Sequence, residues 1–187
     1  ALQCDATFAK IQAYTADCLT LPSDTPEFRI NNKSQWSQFD TYYNLYDKAT
    51  TPLHWLSLLL DYGRSINLTV FASPFSIAAL NVLESSNCPA YKIASPEITD
   101  IRLISAIGAM RKPAALPTGI ANWKDVLRAV KILRKEGVKE ICIMNCVSAY
   151  PASLEMYPLG LIGDILELGC IPGISDHTIS SNLGVAA

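Results

Sequence analysis

Lys92 stands late in a short apolar segment and is followed closely by Ser95 and Glu97. Burying a lysine without a partner is costly, so its side chain must meet an anion or lose its proton. This pattern predicts a cation that holds an anionic ligand or, when the amine is neutral, a nucleophile that forms a Schiff base. Glu97 is the best candidate for proton transfer, and a plain counter-ion to Lys92 is the alternative.

Two more segments carry groups that could do chemistry. His177 lies in the polar cluster of residues 175–178, and imidazole serves metal binding and proton transfer near neutral pH. The carboxylate of Asp176 could orient the ring of a metal-bound histidine, and an ordinary hydrogen-bonded histidine is the alternative. Lys10 and Gln12 alternate along the chain, so they share one face of a strand and can point into one cavity.

Six apolar segments are expected to position these groups. They are apolar almost throughout, which is typical of strands buried on both faces of a parallel sheet. Amphipathic helical segments separate them, so predicted strands and helices alternate along the chain. The predicted strands are residues 6–13, 68–72, 91–94, 114–116, 141–146 and 171–174.

Helix ends can be read between these strands. Asn122 is a suitable N-cap for a helix that Gly137 ends, and Ser76 and Asp100 are suitable N-caps for two others. The Thr51-Pro52 pair predicts the start of a further helix. The side chains predicted to face inward are Trp123, Val126, Leu127, Val130 and Leu133 in the first of these helices and Trp55, Leu59 and Tyr62 in the last.

Repeated βα units fit two architectures, an open doubly wound sheet or a (β/α)8 TIM barrel. No glycine-rich nucleotide-binding motif follows any predicted strand, which weakens the open-sheet interpretation. Polar clusters follow nearly every strand, as in barrel enzymes, whose catalytic groups come from several strand ends. We therefore predict an α/β fold in which residues 1–187 form a truncated (β/α)8 barrel of about six βα units. The polar residues 19–50 are predicted to form a long βα loop with a short helix that shapes a substrate pocket.

Charge and composition narrow the function classes. The chain carries 15 basic and 17 acidic residues, for a formal net charge of −2, so it lacks the basic field that nucleic-acid binding requires. No apolar run approaches the roughly 18 residues of a membrane span. The 6 cysteines lack zinc-binding spacing, which favours reduced thiols and a cytoplasmic location. The chain begins without an initiator methionine and ends in an apolar segment, so both ends are expected to be cut.

Four motifs resemble, in order and spacing, those of the sialic acid synthase family, whose members condense phosphoenolpyruvate with an amino sugar in a (β/α)8 barrel. The resemblance covers nearly the whole chain, and four linked motifs are far more specific than one. Residues 10–17 and 43–55 are most like the pseudaminic acid synthase branch. The motifs are Tyr-Lys-Ile-Ala-Ser-Pro-Glu-Ile-Thr-Asp at 91–100, Pro-Thr-Gly-Ile-Ala at 117–121, Asn-Cys-Val-Ser-Ala-Tyr-Pro at 145–151 and Ser-Asp-His-Thr at 175–178.

The resemblance implies a role for the cluster around the lysine. Lys92, Ser95 and Ser148 match residues that hold the phosphate and carboxylate of phosphoenolpyruvate, and the Thr118-Gly119 turn would assist them. Glu97 matches the glutamate of the family's Ser-x-Glu-Ile-Thr motif and would move a proton, so Glu97 and Lys92 are the expected catalytic residues. Clustered cations and hydroxyl donors suit a small, multiply charged anion.

The resemblance also implies a sugar site and a metal site. His177 matches a ligand of Mn²⁺ or Mg²⁺, and Asn145 stands where sialic acid synthases proper carry a second metal-binding histidine. An asparagine carbonyl oxygen can bind these metals, although more weakly than imidazole. The residues that match sugar- or other substrate-binding positions are Lys10, Gln12, Tyr14, Tyr150 and Asp176.

Other departures from the family bear on activity. Pro117 stands where the family usually has a serine, which removes one hydroxyl donor. By comparison with the family, we expect this sequence to lack the first strand, the last βα unit and the small C-terminal antifreeze-like domain. In the family that domain supplies an arginine to the partner subunit's site, so we expect a homodimer for the full-length protein and no turnover by this fragment alone.

The leading hypothesis is a pseudaminic acid synthase that joins phosphoenolpyruvate to a 2,4-diacetamido-2,4,6-trideoxyhexose. An N-acetylneuraminate or legionaminate synthase, which uses a different sugar, is the nearest alternative. A class I aldolase with Lys92 as the Schiff base is a second alternative. A degenerate, non-catalytic barrel kept for binding or assembly is a third, motivated by Asn145 and Pro117.

Overall fold

The computed structural model describes residues 1–180 and 182–186. The chain divides into two compact units, Ala1–Cys88 and Pro89–Ala187. Both units are built from parallel strands joined by helices, as the alternation of apolar and amphipathic segments predicts.

The first unit contains one parallel pair of strands. Strand β1 (Phe8–Ala13) pairs with β2 (Thr69–Pro74), and Lys10 lies opposite Phe71 in this register. The segment between the two strands, predicted as a long loop with one short helix, holds a longer series of helical elements. The helices of this unit are α1 (Ala16–Leu19), α2 (Tyr42–Ala49), α3 (Trp55–Ser65) and α4 (Ile77–Ser85), with short 3-10 helices at Leu2–Cys4 and Pro26–Phe28.

The buried face of α3 differs from the predicted one. The helix begins at Trp55, not at the Thr51-Pro52 pair, and it buries Leu56, Leu60 and Gly63. Trp55 and Tyr62, which were expected to face inward, are 50% and 63% exposed. The reason is the glycine, because a Cβ at position 63 would lie 2.8 Å from the carbonyl oxygen of Leu68. The small residue therefore sets which face approaches the sheet.

The second unit contains four parallel strands in sequence order. They are β3 (Tyr91–Lys92), β4 (Ala114–Pro117), β5 (Ile141–Cys146) and β6 (Ile171–Ser175), each hydrogen-bonded to the next. The helices are α5 (Ile101–Ala109), α6 (Trp123–Glu136), α7 (Leu161–Glu167) and α8 (Asn182–Ala186), with 3-10 helices at Ser95–Thr99 and Leu154–Met156.

Strand β3 is shorter than the predicted segment 91–94. Its ladder continues only through the amide of Ile93, which donates to the carbonyl of Ala115 at 2.9 Å. The 3-10 helix that follows carries a proline in its first turn, and proline cannot donate to a ladder. The chain therefore leaves the ladder after Ile93 and enters the 3-10 helix at Ser95.

The predicted helix caps are confirmed. The side chains of Ser76, Asp100 and Asn122 each accept a hydrogen bond from a main-chain amide of the helix that they precede. Gly137 ends α6 at φ 99°, a left-handed conformation that favours glycine. Leu127, predicted to face inward, is 38% exposed, because α6 buries Val126, Ala129, Val130 and Leu133 instead. Within the described part of the chain, no helix has the length and apolar character needed to cross a bilayer.

Candidate functional site

Lys92 is a partly buried cation of the second unit. It ends β3, and its Nζ donates to Ser175 Oγ at the end of β6 at 3.2 Å. Two strands lie between them, so a flat sheet would separate them by about 14 Å at a strand spacing of about 4.8 Å. A lysine side chain cannot span that distance, so this four-stranded sheet must curve around the amine as a barrel wall does. Burial lowers the pKa of Lys92, while the nearby thiols of Cys146 and Cys142 act in the opposite direction.

Two serine hydroxyls and a glycine lie close together beside the C-terminal end of β4. Ser148 Oγ donates to Ser95 Oγ at 3.4 Å, and Ser95 Oγ accepts the amide of Ile120 at 3.0 Å. A Cβ at Gly119 would lie 2.5 Å from Ser95 Oγ, even closer to Ser148 Oγ and 3.3 Å from Cys146 Sγ. A larger residue at this position would displace these hydroxyls. We call Ser95, Gly119 and Ser148 the serine cradle, and its hydroxyl groups suit an anion such as phosphate or carboxylate.

Thr118, which also belongs to the predicted anion site, is tied to the neighbouring strand. Its amide donates to the carbonyl of Met144, and its Oγ1 accepts the amide of Cys146, both at 3.0 Å. The side chain therefore braces the turn that leads into the serine cradle. Its hydroxyl proton is still available as a donor, because the amide of Cys146 uses only a lone pair.

Glu97 is half-buried in the 3-10 helix Ser95–Thr99. Burial raises the pKa of its carboxyl group, and the negative charge of Asp100 raises it further. Both effects favour the protonated form, so Glu97 can exchange a proton at a pH closer to neutrality than an exposed glutamate can.

His177 is fixed just beyond the end of β6. Its Nδ1 lies 2.7 Å from the carbonyl oxygen of Val147, and a carbonyl can only accept, so Nδ1 carries the proton and the Nε2 lone pair is available as a ligand. The ring of Tyr150 lies against it, with ring centroids 4.4 Å apart. The imidazole ring is thus oriented by the carbonyl of Val147 and not by the carboxylate of Asp176 as predicted. Asp176 Oδ1 accepts the amide of Thr178 at 2.7 Å.

Asn145 is fully buried in β5, and its amide is only half satisfied. Its Nδ2 donates to the carbonyl of Pro158 at 3.1 Å, while Oδ1 is the one buried side-chain oxygen or nitrogen without a hydrogen-bond partner among the described residues. An unpaired buried acceptor costs about 1–3 kcal/mol. We call Asn145, Val147 and His177 the histidine corner.

The histidine corner carries two donor atoms of the kinds that divalent cations bind. It offers an unpaired amide oxygen and an imidazole nitrogen whose other ring atom is anchored by a carbonyl, as metal-binding histidines usually are. Residues 1–180 and 182–186 contain no group of three or more His, Cys, Asp or Glu side chains that could hold a metal ion. Asn145 and His177 would therefore supply only part of a coordination shell, as in sites where water and substrate complete it.

The predicted sugar-binding residues of the first unit fall into two environments. Lys10 and Gln12 lie on the exposed face of β1, as their alternation predicts. Tyr14 instead points into the interior, where its ring packs against Phe75 and its hydroxyl donates to the carbonyl of Ala49 at 3.1 Å. Burial raises the pKa of Tyr14.

Sequence reasoning missed the roles of Ser175 and Tyr157, and it named Gly119 only as part of a turn that assists anion binding. Ser175 was noted only as part of a polar cluster, and its position at a strand end was the available signal. The close approach at Gly119 has no signal beyond the residue type. Tyr157, which binds the main chain of His177 through its hydroxyl at 3.0 Å, lies outside every predicted cluster, because its role depends on a contact distant in sequence.

Three comparisons place the chain among known proteins. The NeuB family model matches residues 1–187. The pseudaminic acid synthase of Helicobacter pylori (strain ATCC 700392 / 26695) is 41% identical over 179 residues, which is 94% of this chain and 52% of that protein. A pseudaminic acid synthase of Campylobacter jejuni (serotype O:23/36, strain 81-176) is 33% identical over 170 residues, or 90% of this chain and 49% of that protein. The chain thus spans about half the length of these curated relatives.

A solved structure confirms the fold class. The N-acetylneuraminic acid (sialic acid) synthetase from Leptospira borgpetersenii serovar Hardjo-bovis, in complex with citrate, matches with a TM-score of 0.79 and 25% identity. The match covers 94% of this chain and 56% of that chain. The chain therefore has the α/β fold of the (β/α)8 barrel enzymes, with six parallel strands in its described residues.

Proposed function

Because this chain belongs to the NeuB family, we propose that it is the barrel portion of a pseudaminic acid synthase. Such a transferase condenses phosphoenolpyruvate with a 2,4-diacetamido-2,4,6-trideoxyhexose to give a nonulosonic acid and phosphate. The similarity to the Helicobacter pylori synthase supports this branch. The structural observation that carries the proposal is that the Lys92–Ser175 contact and the serine cradle both lie at strand ends of the same unit.

The lysine and the cradle are proposed to bind phosphoenolpyruvate. Its phosphate and carboxylate need a cation and several donors, which the Lys92 ammonium and the hydroxyls of Ser95, Thr118 and Ser148 can supply. Burial lowers the pKa of the free Lys92, and an anionic ligand would shift the amine back toward its charged form. Binding of the substrate and protonation of Lys92 are therefore coupled.

Carbon 3 of the enol attacks the aldehyde carbon of the open-chain sugar, forming a carbon–carbon bond while the aldehyde oxygen gains a proton. Water adds to carbon 2, the bond from that carbon to the phosphate oxygen breaks, and inorganic phosphate leaves. Glu97 is proposed to move a proton in one of these steps. Asn145 and His177 are proposed to hold Mn²⁺ or Mg²⁺, whose Lewis acidity would polarise the aldehyde.

Several further assignments rest on the resemblance. Lys10, Gln12, Tyr14, Tyr150 and Asp176 are proposed substrate-binding residues. We also propose that residues 1–187 are one partial barrel domain, and that the full-length enzyme is a cytoplasmic homodimer in which the partner subunit contributes to the site.

The test is an assay of the full-length protein with phosphoenolpyruvate, Mn²⁺ and each candidate sugar in turn. We expect phosphate release and a nonulosonic acid by mass spectrometry with the 2,4-diacetamido-2,4,6-trideoxyhexose. Turnover only with an N-acetylmannosamine-type or a legionaminate-precursor sugar would assign the chain to a sibling synthase. Lack of both Mn²⁺ and phosphoenolpyruvate binding by calorimetry would indicate a degenerate barrel.

One observation favours a second candidate, a class I aldolase. Burial of Lys92 lowers the pKa of its amine, and a neutral amine is what a Schiff base requires. Borohydride reduction in the presence of pyruvate separates the two functions. An aldolase gives a covalent adduct on Lys92, whereas the synthase gives none.

A further inference from the structure

We propose that Tyr157 and Pro158 are positioning residues that together orient the two candidate metal ligands, Asn145 and His177. The inference rests on the proposed function, since it assumes that these two side chains hold a divalent cation. It adds a pair of residues that no sequence motif assigned, and it explains why Asn145 keeps an oxygen unpaired in a buried strand.

Tyr157 fixes the main chain on both sides of Asp176. Its hydroxyl donates to the carbonyl of Ser175 at 3.0 Å and accepts the amide of His177 at 3.0 Å. One hydroxyl can do both, because it has one proton and two lone pairs. The carbonyl of His177 is held as well, since it accepts the amide of Ala152 at 2.9 Å. With the ring held by Val147, the main chain and the imidazole of His177 are both anchored.

Pro158 fixes the amide group of Asn145. Its carbonyl accepts Asn145 Nδ2 at 3.1 Å. Rotating the amide by half a turn would place Oδ1 against the carbonyl oxygen, and two acceptors repel each other, so this contact determines which amide atom faces away. The atom that faces away is Oδ1, the buried oxygen without a partner. Adjacent residues of one segment thus aim both candidate ligands.

The ring of Tyr157 is anchored separately from its hydroxyl. Tyr157 is 6% exposed and packs in a buried cluster with Ala152 and Leu183. Replacing it with phenylalanine keeps this packing and removes only the oxygen that binds Ser175 and His177. The Tyr157→Phe variant therefore tests positioning with little change in the core.

The experiment measures Mn²⁺ binding to the full-length protein, with free Mn²⁺ quantified by electron paramagnetic resonance. Loss of a group that orients a metal ligand typically lowers metal affinity about 10–100-fold, and we expect that range for Tyr157→Phe. Phosphoenolpyruvate affinity, measured in a metal chelator, should stay at the wild-type value, which a general loss of structure would not allow. Tyr62→Phe, at a tyrosine 63% exposed on α3, is the matched control and should bind Mn²⁺ normally.

The outcomes separate this inference from the proposed function. Mn²⁺ binding that Tyr157→Phe leaves unchanged, but that His177→Gln abolishes, overturns the positioning role and keeps the metal site. Two results would overturn both the metal site and the inference. Either the wild-type protein binds no Mn²⁺, or His177→Gln binds Mn²⁺ as tightly as the wild-type protein does. If Tyr157→Phe does not fold, hydrogen exchange of the wild-type His177 amide decides, because a fast, unprotected amide overturns the contact with Tyr157.

Discussion

The serine cradle and the histidine corner hold polar groups in different ways. In the cradle, the side-chain hydroxyls of Ser95 and Ser148 bond to each other, and hydroxyl protons can rotate toward an incoming ligand. In the corner, main-chain carbonyls fix both side chains, through Val147 for His177 and Pro158 for Asn145. The cradle can adapt to its ligand, whereas the corner presents lone pairs in set directions.

The difference matches the chemistry proposed for each region. An anion with several oxygens can be bound by donors that reorient, so the cradle needs space more than rigidity, and Gly119 provides that space. A metal ion needs ligands at short, defined distances, so rigidity is worth the cost of an unpaired buried oxygen. The two regions should therefore respond to substitutions independently.

The largest expected effect lies outside both regions. Glu97→Gln removes the proposed proton carrier and should lower kcat by about 10²–10⁴-fold, while phosphoenolpyruvate and Mn²⁺ affinities stay unchanged. Because burial and Asp100 raise the pKa of Glu97, one limb of the wild-type pH–rate profile should lie above the usual glutamate range. That limb should be missing in Glu97→Gln. Full activity of this variant would remove Glu97 from the mechanism.

Gly119→Ala should damage the cradle alone. A methyl group there would overlap the hydroxyls of Ser95 and Ser148, and a displacement of about 1 Å can cost about 10²-fold in rate. We expect kcat/KM for phosphoenolpyruvate to fall by about that factor, with Mn²⁺ binding unchanged in a direct titration.

Gly163→Ala is the matched control, because a Cβ at position 163 meets nothing within 4 Å. It should retain wild-type kinetics. Equal losses in the two variants would mean that the close approach at Gly119 has no part in substrate binding. A loss of Mn²⁺ affinity in Gly119→Ala would mean that the two regions are coupled.

Lys92 should make phosphoenolpyruvate binding at the cradle weaker at high pH. Its pKa is lowered by burial, and an anion needs the ammonium form, so kcat/KM for phosphoenolpyruvate should fall as the pH rises through this lowered pKa. The fall should reach about tenfold for each further pH unit and begin below the range of an ordinary lysine. In Lys92→Arg the residual activity should lack this limb, because arginine stays charged. A limb shared by both proteins would assign the titration to another group.

Local sequence signals predicted the elements that carry these regions. Asn122, Ser76 and Asp100 were recognised as caps because a cap depends on residues close in sequence. The polar clusters after the strands were predicted because parallel strands place their C-terminal ends at one edge of a sheet. Both predictions need only local sequence, because a cap and the end of a strand can each be located from neighbouring residues.

Contacts between distant residues could not be read in the same way. The inner face of α3 was predicted from large apolar residues, yet Gly63 decides it through its approach to Leu68. Asp176 was expected to orient His177 because it is adjacent, yet the ring is held by Val147, 30 residues away in sequence. Long-range packing determines these partners, and periodicity in one sequence contains no information about it.

The smallest expected effect tests whether the unpaired oxygen of Asn145 in the histidine corner lowers the stability of the metal-free protein. Asn145→Leu removes the unpaired buried oxygen together with the hydrogen bond to the carbonyl of Pro158. That carbonyl keeps a partner, because it also accepts the amide of Leu161 at 3.0 Å. The stability gained by removing the unpaired acceptor should exceed the stability lost with the hydrogen bond. The free energy of unfolding without metal should therefore rise by about 1 kcal/mol. Chemical denaturation in a metal chelator measures this change.

Added Mn²⁺ should then make the wild-type protein more stable than Asn145→Leu. The ion binds the folded wild-type protein and stabilises it by mass action, but it should not stabilise Asn145→Leu, which lacks the amide oxygen. His177→Gln provides the comparison, because it should lose the Mn²⁺ effect without gaining metal-free stability, since the buried Oδ1 is still present. If Asn145→Leu is less stable without metal and still responds to Mn²⁺, then the oxygen is not a ligand and the corner is ordinary core packing.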